Sequence, residues 1–120
     1  NYAILNTMVK YKNTLQKGSV RYIVFKEGAD WYAAGLEFNI VESGTTPQEA
    51  ILLLFEALSG YVESAKKIKA RPNILNQKPD SEYEQMWRDI QNKKTIQTKQ
   101  IYTSGEFNLR RSFGRSLVPA

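Results

Sequence analysis

The chain has 120 residues and a mass of 13.8 kDa, with 42% hydrophobic, 24% charged and 12% aromatic residues, values typical of one globular domain. It contains no Cys and no His. Zinc and haem sites built on these ligands are therefore excluded, and so are Cys-His, Ser-His-Asp and histidine-base catalysis. We expect no catalytic, cofactor-binding or metal-binding residues and a protein that is not an enzyme.

The net charge of +5 is unevenly distributed along the chain. Residues 1–92 hold 11 basic and 11 acidic side chains, whereas residues 93–120 hold six basic side chains and one acidic one, Glu106. A solvated terminus is one interpretation, because six charges over 28 residues form no dense block. The other is a nucleic-acid contact through phosphates. Its candidate residues are Lys93, Lys94, Lys99, Arg110, Arg111 and Arg115.

The chain shows no sign of membrane insertion or export. No run approaches the roughly 18 apolar residues of a membrane span, and residues 1–5 lack the features of a signal peptide. We therefore expect a cytoplasmic protein. The composition divides the chain into an N-terminal extension (1–17), a core domain (18–70), a loop with a second helix (71–92) and a basic C-terminal tail (93–120).

Three β-strands are predicted in the first half of the core. Residues 20–25 are rich in β-branched and aromatic side chains, residues 31–36 fit a second strand, and residues 38–41 either continue it or form a third. Between the first two strands, Gly28 supplies the tolerance of positive φ that a hairpin loop needs.

The next element is the most clearly marked helix. Thr46, Pro47 and Glu49 form a capping box with proline at the first helical position. Apolar residues then recur at three- and four-residue spacing, which predicts a core-facing helix to about Lys67. The helix carries more apolar surface than one face of a sheet can cover, because it also includes Leu52, Leu53 and the outer side of Phe55. They indicate either a wide core face or a subunit contact.

A second, shorter helix should begin with Asp80 or Ser81 as its cap, and it carries an apolar stripe that includes Tyr83 and Trp87. We interpret Trp87 as a core or interface anchor, with base stacking as the alternative. Residues 95–102 alternate like an edge strand, a turn is predicted at Ser104 and Gly105, and residues 106–110 form a further short strand.

No phosphate-binding loop, calcium loop or metal-binding helix pattern occurs in the sequence. Glu49, Glu56 and Glu63 repeat every seven residues, which is typical of a solvated helix face. Glu37 and Glu42 could point to one cleft, but a lone carboxylate pair is weak evidence for catalysis.

Residues 21–65 resemble the HicB-like antitoxin family. The resemblance is strongest over residues 36–50, where a strand, the Ser43-Gly44 turn and the capped helix entry at Thr46 follow in the family's order. Other matching features are the strand at 21–27, the aromatic pair Trp31-Tyr32 and the helix segment 58–63.

This resemblance implies an α+β fold: a three-stranded antiparallel sheet crossed by one long helix, in the order β-β-β-α, similar to part of a double-stranded-RNA-binding fold. A short second helix and a strand-like tail would follow. Members typically bind and block a small toxin that degrades messenger RNA, and many carry a C-terminal DNA-binding module. Only 15 residues follow Gly105, too few for that module, and residues 73–90 look closer to stand-alone relatives.

Two functional hypotheses result. The first is a HicB-like antitoxin, or a stand-alone relative, that occludes a partner protein, with Leu52, Leu53, Phe55 and Trp87 as candidate partner or subunit contacts. The second is a nucleic-acid-binding or transcription-regulating module in which the tail contacts phosphates and Tyr102, Phe107 or Phe113 stack on bases. We also predict a homodimer or a higher even oligomer, with the long helix or the C-terminal strand at its interface.

Overall fold

A computed structural model describes residues 10–94 and 99–109. It is an α+β fold in which four antiparallel strands form one sheet in the order β3-β2-β1-β4. The strands are β1 (Ser19–Glu27), β2 (Asp30–Gly35), β3 (Ile40–Gly44) and β4 (Gln100–Asn108). The helices are α1 (Pro47–Lys67) and α2 (Ser81–Gln91), with a 3-10 helix at Pro72–Leu75 between them. The prediction of three sheet strands is corrected to four.

The fourth strand also corrects the turn predicted at Ser104 and Gly105. Both residues lie inside β4, where Gly105 is opposite Tyr22 of β1. A Cβ atom on Gly105 would lie 2.8 Å from the Tyr22 hydroxyl oxygen, so glycine is needed here to let the Tyr22 ring cross the strand. The pair of residues typical of a turn therefore serves a close packing contact instead.

The predicted helix starts are confirmed. Thr46 caps α1 by accepting a hydrogen bond from the Glu49 amide at 3.1 Å, and Asp80 caps α2 by accepting one from the Glu82 amide at 2.8 Å. The Glu49 carboxylate accepts its bond from the Thr45 amide at 2.7 Å, one residue before the cap. The α1 helix ends at Lys67, as its apolar period predicts.

The two helices cover opposite faces of the sheet. Val20 and Val24 of β1 pack with buried residues of α1, whereas Ile23 and Phe25 of the same strand pack with Met86 of α2. Successive side chains of a strand point to opposite faces, so β1 is buried on both. In the part of the chain that the structure describes, no helix is long and apolar enough to span a membrane.

The segment before β1 is tied to the loop before α2. The Asn13 side chain is fully buried; its amide nitrogen donates to the Leu75 carbonyl at 2.8 Å, and its oxygen accepts from the Ser19 amide at 2.8 Å. The Asn76 side chain completes the clasp by bonding both the amide and the carbonyl of Asn13, at 2.9 and 2.8 Å. Residues 1–9 lie outside the described residues.

Candidate binding surface

The two leucines predicted as surplus apolar surface lie on opposite flanks of α1. Leu52 is 59% exposed and Leu53 is 36% exposed. Gln48 and Phe55, which share a flank with Leu52 at helical spacing, contact residues of β4: Gln48 Nε2 donates to the Tyr102 hydroxyl at 3.2 Å. Leu52, two residues from the buried Leu54, therefore lies on the outer side of α1 next to the flank of Gln48 and Phe55, and Leu53 lies toward the other flank.

Aromatic rings continue this surface across the sheet. Phe55 contacts Phe107 of β4 and Tyr22 of β1, with ring centroids 4.9 and 5.2 Å apart. Nearer the start of α1, Trp31 of β2 and Tyr102 meet edge to face at 6.0 Å. We call this set the aromatic flank. Its members, half-buried or exposed, are Tyr22, Trp31, Leu52, Phe55 and Tyr102.

A β-bulge aims Tyr102 at this surface. The pairing of β1 with β4 shifts register between Val24 and Phe25, which lie opposite Thr103 and Ile101, so that Tyr102 is the extra residue. A bulge bends its strand and redirects a side chain. Here the Tyr102 ring reaches Trp31 and still remains 49% exposed. Lys26 places its ammonium 5.9 Å from the Trp31 ring and gives this end of the flank a positive charge.

On the opposite face of the sheet, ion pairs connect β1 to α2. Arg21 of β1 donates from Nε to Glu37 at 2.6 Å and from both terminal nitrogens to the Glu84 carboxylate of α2 at 2.9 Å. The hydrogen bonds with Glu84 raise the pKa of Arg21 despite its burial, and the same bonds lower the pKa of Glu84. The Trp87 ring lies 5.5 Å from the guanidinium carbon of Arg21.

This arrangement separates the four predicted interface residues. Leu52 and Phe55 lie together on the aromatic flank, Leu53 lies on the other flank of α1, and half-buried Trp87 packs into the core under α2. The predicted carboxylate pair is also separated. Glu37 is held by Arg21 on the α2 side, whereas Glu42 lies opposite Ala33, whose side chain packs with α1.

The candidate phosphate contacts are scattered. Lys93 and Lys94 are exposed after the end of α2. Lys99 is ion-paired with Glu82 at 2.6 Å and Glu27 at 3.4 Å, and its side chain is 8% exposed. Burial lowers the pKa of Lys99, but the hydrogen bond and charge of Glu82 together with the charge of Glu27 outweigh it and raise the pKa. Arg110, Arg111 and Arg115, like Phe113, lie outside the described residues.

A surface pocket of about 520 Å³ lies between β3 and the start of α2. It is lined by Asn39, Val41, Lys78, Asp80 and Tyr83. Burial raises the pKa of the Tyr83 hydroxyl, and the charges of Glu82 and Asp80 add to the effect. Within residues 10–94 and 99–109, no three acidic side chains are grouped to hold a metal ion.

The sequence reasoning missed the aromatic flank as a unit. The sequence places Trp31 in a strand and in the aromatic pair of the family resemblance, and it identifies Tyr102 as a ring that could stack on a base, but nothing in it joins the two. Their juxtaposition depends on the pairing of β4 with β1, which joins residues about 80 positions apart in the chain. A comparison with family models, one with curated proteins and one with solved structures each return no match for this chain.

Proposed function

We propose that this chain is a protein-binding module, a HicB-like antitoxin or a stand-alone relative, that occludes a small messenger-RNA-cleaving toxin in the cytoplasm. The observation that carries the proposal is the aromatic flank, an apolar surface left open beside an edge strand of an otherwise well-packed sheet. Aromatic side chains of this kind are enriched at the centres of protein interfaces.

The exposure pattern supports recognition rather than folding as the role of Leu52. Its neighbour Leu54 is fully buried against the sheet, while Leu52 leaves 59% of its surface in water. Burying apolar surface contributes about 25 cal/mol per Å², so a partner that covers Leu52 gains free energy that folding leaves unused. The half-buried Phe55 and Trp31 beside it would extend the same contact.

The resemblance of residues 21–65 to HicB-like antitoxins supports the choice of partner. The β-β-β-α order of the first four major elements agrees with the fold that this resemblance implies. The likeness to part of a double-stranded-RNA-binding fold belongs to the same proposal.

Co-expression tests this proposal. The tagged chain should co-purify with a small protein encoded beside it and suppress that protein's cleavage of messenger RNA. Leu52→Glu should weaken the complex at least tenfold, because it places a charge in the desolvated centre of the contact. Leu53→Glu, the same change on the opposite flank, should leave the affinity unchanged. A neighbouring toxin that neither binds nor is neutralised would contradict the proposal.

A nucleic-acid-binding module is the second candidate, and the exposed Lys93 and Lys94 favour it. Lys99 is already ion-paired with two carboxylates. The phosphate-binding site should therefore be weaker than the number of its basic residues indicates. Binding of labelled RNA or DNA should then fall steeply with salt, and Ala at Arg110, Arg111 and Arg115 should reduce it. Affinity that is absent, or that ignores these substitutions, would remove this candidate.

A further inference from the structure

Among the described residues, no strand pairs with the outer edge of β4, and this edge is weakly protected. Natural edge strands are usually blocked by charges, prolines, bulges or short length. The other edge, β3, has five residues including Glu42 and packs against α1. In contrast, β4 has nine residues, no proline and one charge, Glu106. Its bulge lies at Tyr102, so the strand is regular from Thr103 onward.

We propose that β4 pairs antiparallel with β4 of a second copy, about a two-fold axis at Gly105. Directly opposed residues of antiparallel strands lie on the same face of a sheet, which restricts the register. In β4, Ser104 and Glu106 lie opposite Ile23 and Arg21, on the α2 side. The residues between and beside them, Thr103, Gly105 and Phe107, lie on the α1 side.

Charge and the bulge then select one register. An axis at Glu106 would oppose two carboxylates, which is destabilising. An axis at Ser104 would oppose the bulged Tyr102 to Glu106, where the side chains no longer share a face. An axis at Gly105 keeps the carboxylates apart and moves the bulge to the end of the paired segment, where Tyr102 meets Asn108. Within that segment, Glu106 faces Ser104 of the second copy, and Phe107 faces Thr103 of the second copy.

The proposed pair between Ser104 and Glu106 is chemically complementary. The Glu106 side chain is 57% exposed, and its Oε1 already accepts from Ser19 Oγ at 2.9 Å and lies 3.7 Å from Lys12 Nζ. We assign Oε2 to the hydroxyl of Ser104 in the second copy. Lys12 offsets the charge of each carboxylate, and Gly105 at the axis lets the two backbones meet without side chains between them.

The dimer joins the two aromatic flanks. A two-fold axis perpendicular to the sheet keeps both α1 helices on one face of an eight-stranded sheet. The β4 strands of both copies and the two aromatic flanks then lie side by side between the helices, so that one partner could contact both flanks at once. This last consequence rests on the proposed function, whereas the dimer itself does not.

Light scattering of the full chain at micromolar concentration tests the dimer. We expect a mass twice the 13.8 kDa of the chain. Ser104→Glu should shift the protein to monomer, because it opposes two carboxylates at both pairs, whereas Ser104→Lys should keep the dimer by facing Glu106. Ser43→Glu, on the other edge strand, should have no effect. Circular dichroism should show that each variant is folded.

Cross-linking gives a second test that adds no charge. The chain has no Cys, so the double variant Ser104→Cys, Glu106→Cys should form covalent dimers with a short bismaleimide. Opposed Cβ atoms lie about 5 Å apart, which is too far for a relaxed disulfide but within reach of this linker. A monomeric wild-type mass, a Ser104→Glu variant that stays dimeric, or an absence of cross-links would overturn the inference. A monomer that still captures a toxin would leave the proposed function standing.

Discussion

The two faces of the sheet are closed in different ways. The short helix α2 is positioned by apolar contacts and by two ion-paired cations, Arg21 and Lys99, that reach it from the sheet. The long helix α1 is positioned by a row of fully buried aliphatic residues and leaves one flank open. On the α2 side, ion pairs therefore complete a face that one short helix cannot cover. The other face leaves apolar residues exposed, and we propose that these residues recognise a partner.

The largest loss of stability should come from breaking the ion pairs on the α2 side of the sheet. Arg21→Ala leaves Glu37, only 7% exposed, without its main cation. Removing one partner of a buried ion pair costs about 3–5 kcal/mol, and we expect a loss of about that size in the free energy of unfolding. Urea denaturation measures it. Lys12→Ala, which removes the more exposed cation, should cost less than about 1 kcal/mol. Equal losses would contradict the account.

The next effect concerns the clasp that leads to α2. Asn13→Ala removes side-chain bonds to the Leu75 carbonyl and the Ser19 amide. Because these groups would be left without that partner at a buried position, we expect a loss of about 1–3 kcal/mol. The same denaturation experiment applies, with Asn92→Ala, an exposed asparagine, as control. A loss no larger than that of the control would show that the clasp is not stabilising.

Acid should destabilise the packing on the α2 side of the sheet before that on the α1 side. The hydrogen bonds from Arg21 lower the pKa of Glu84 below its ordinary value of 4.5. A carboxyl whose pKa is lower in the folded state contributes stability above pH 4.5 and loses it as the pH falls through the folded value. Thermal unfolding from pH 7 to pH 3 should therefore show a smaller acid loss for Glu84→Gln than for wild type. Identical slopes would contradict this assignment.

The smallest effect on stability should come from the open face. Leu52→Glu and Leu53→Glu change exposed positions, so each should alter the free energy of unfolding by no more than about 0.5 kcal/mol. This result would confirm that any loss of partner binding by Leu52→Glu is a loss of contact. If Leu52→Glu instead left the protein only marginally stable, Leu52 would belong to the core of the fold.

Local sequence signals predicted β1 and β2, the start of both helices and the end of α1, because caps, hairpin glycines and apolar periods act over a few residues. The third strand was predicted at residues 38–41, whereas β3 is Ile40–Gly44. Local signals could not predict that β4 runs through Ser104 and Gly105, since the reason is a ring from Tyr22, more than 80 residues away. The spacing of residues in the sequence also could not predict the ion pair between Arg21 and Glu84. One signal was available: β1 is apolar at both alternating sets of positions, which indicates a strand covered on both faces.

We propose that the α1 side of the sheet recognises a partner while the α2 side maintains the fold. Each side carries a half-buried Trp and a Tyr: Trp31 and Tyr102 on the first, Trp87 and Tyr83 on the second. Hydroxyl-radical labelling with and without the bound partner reads all four rings in one experiment. We expect Trp31 and Tyr102 to become protected and the other two to label equally in both states. Protection of Trp87 and Tyr83, with Trp31 and Tyr102 unchanged, would contradict the claim.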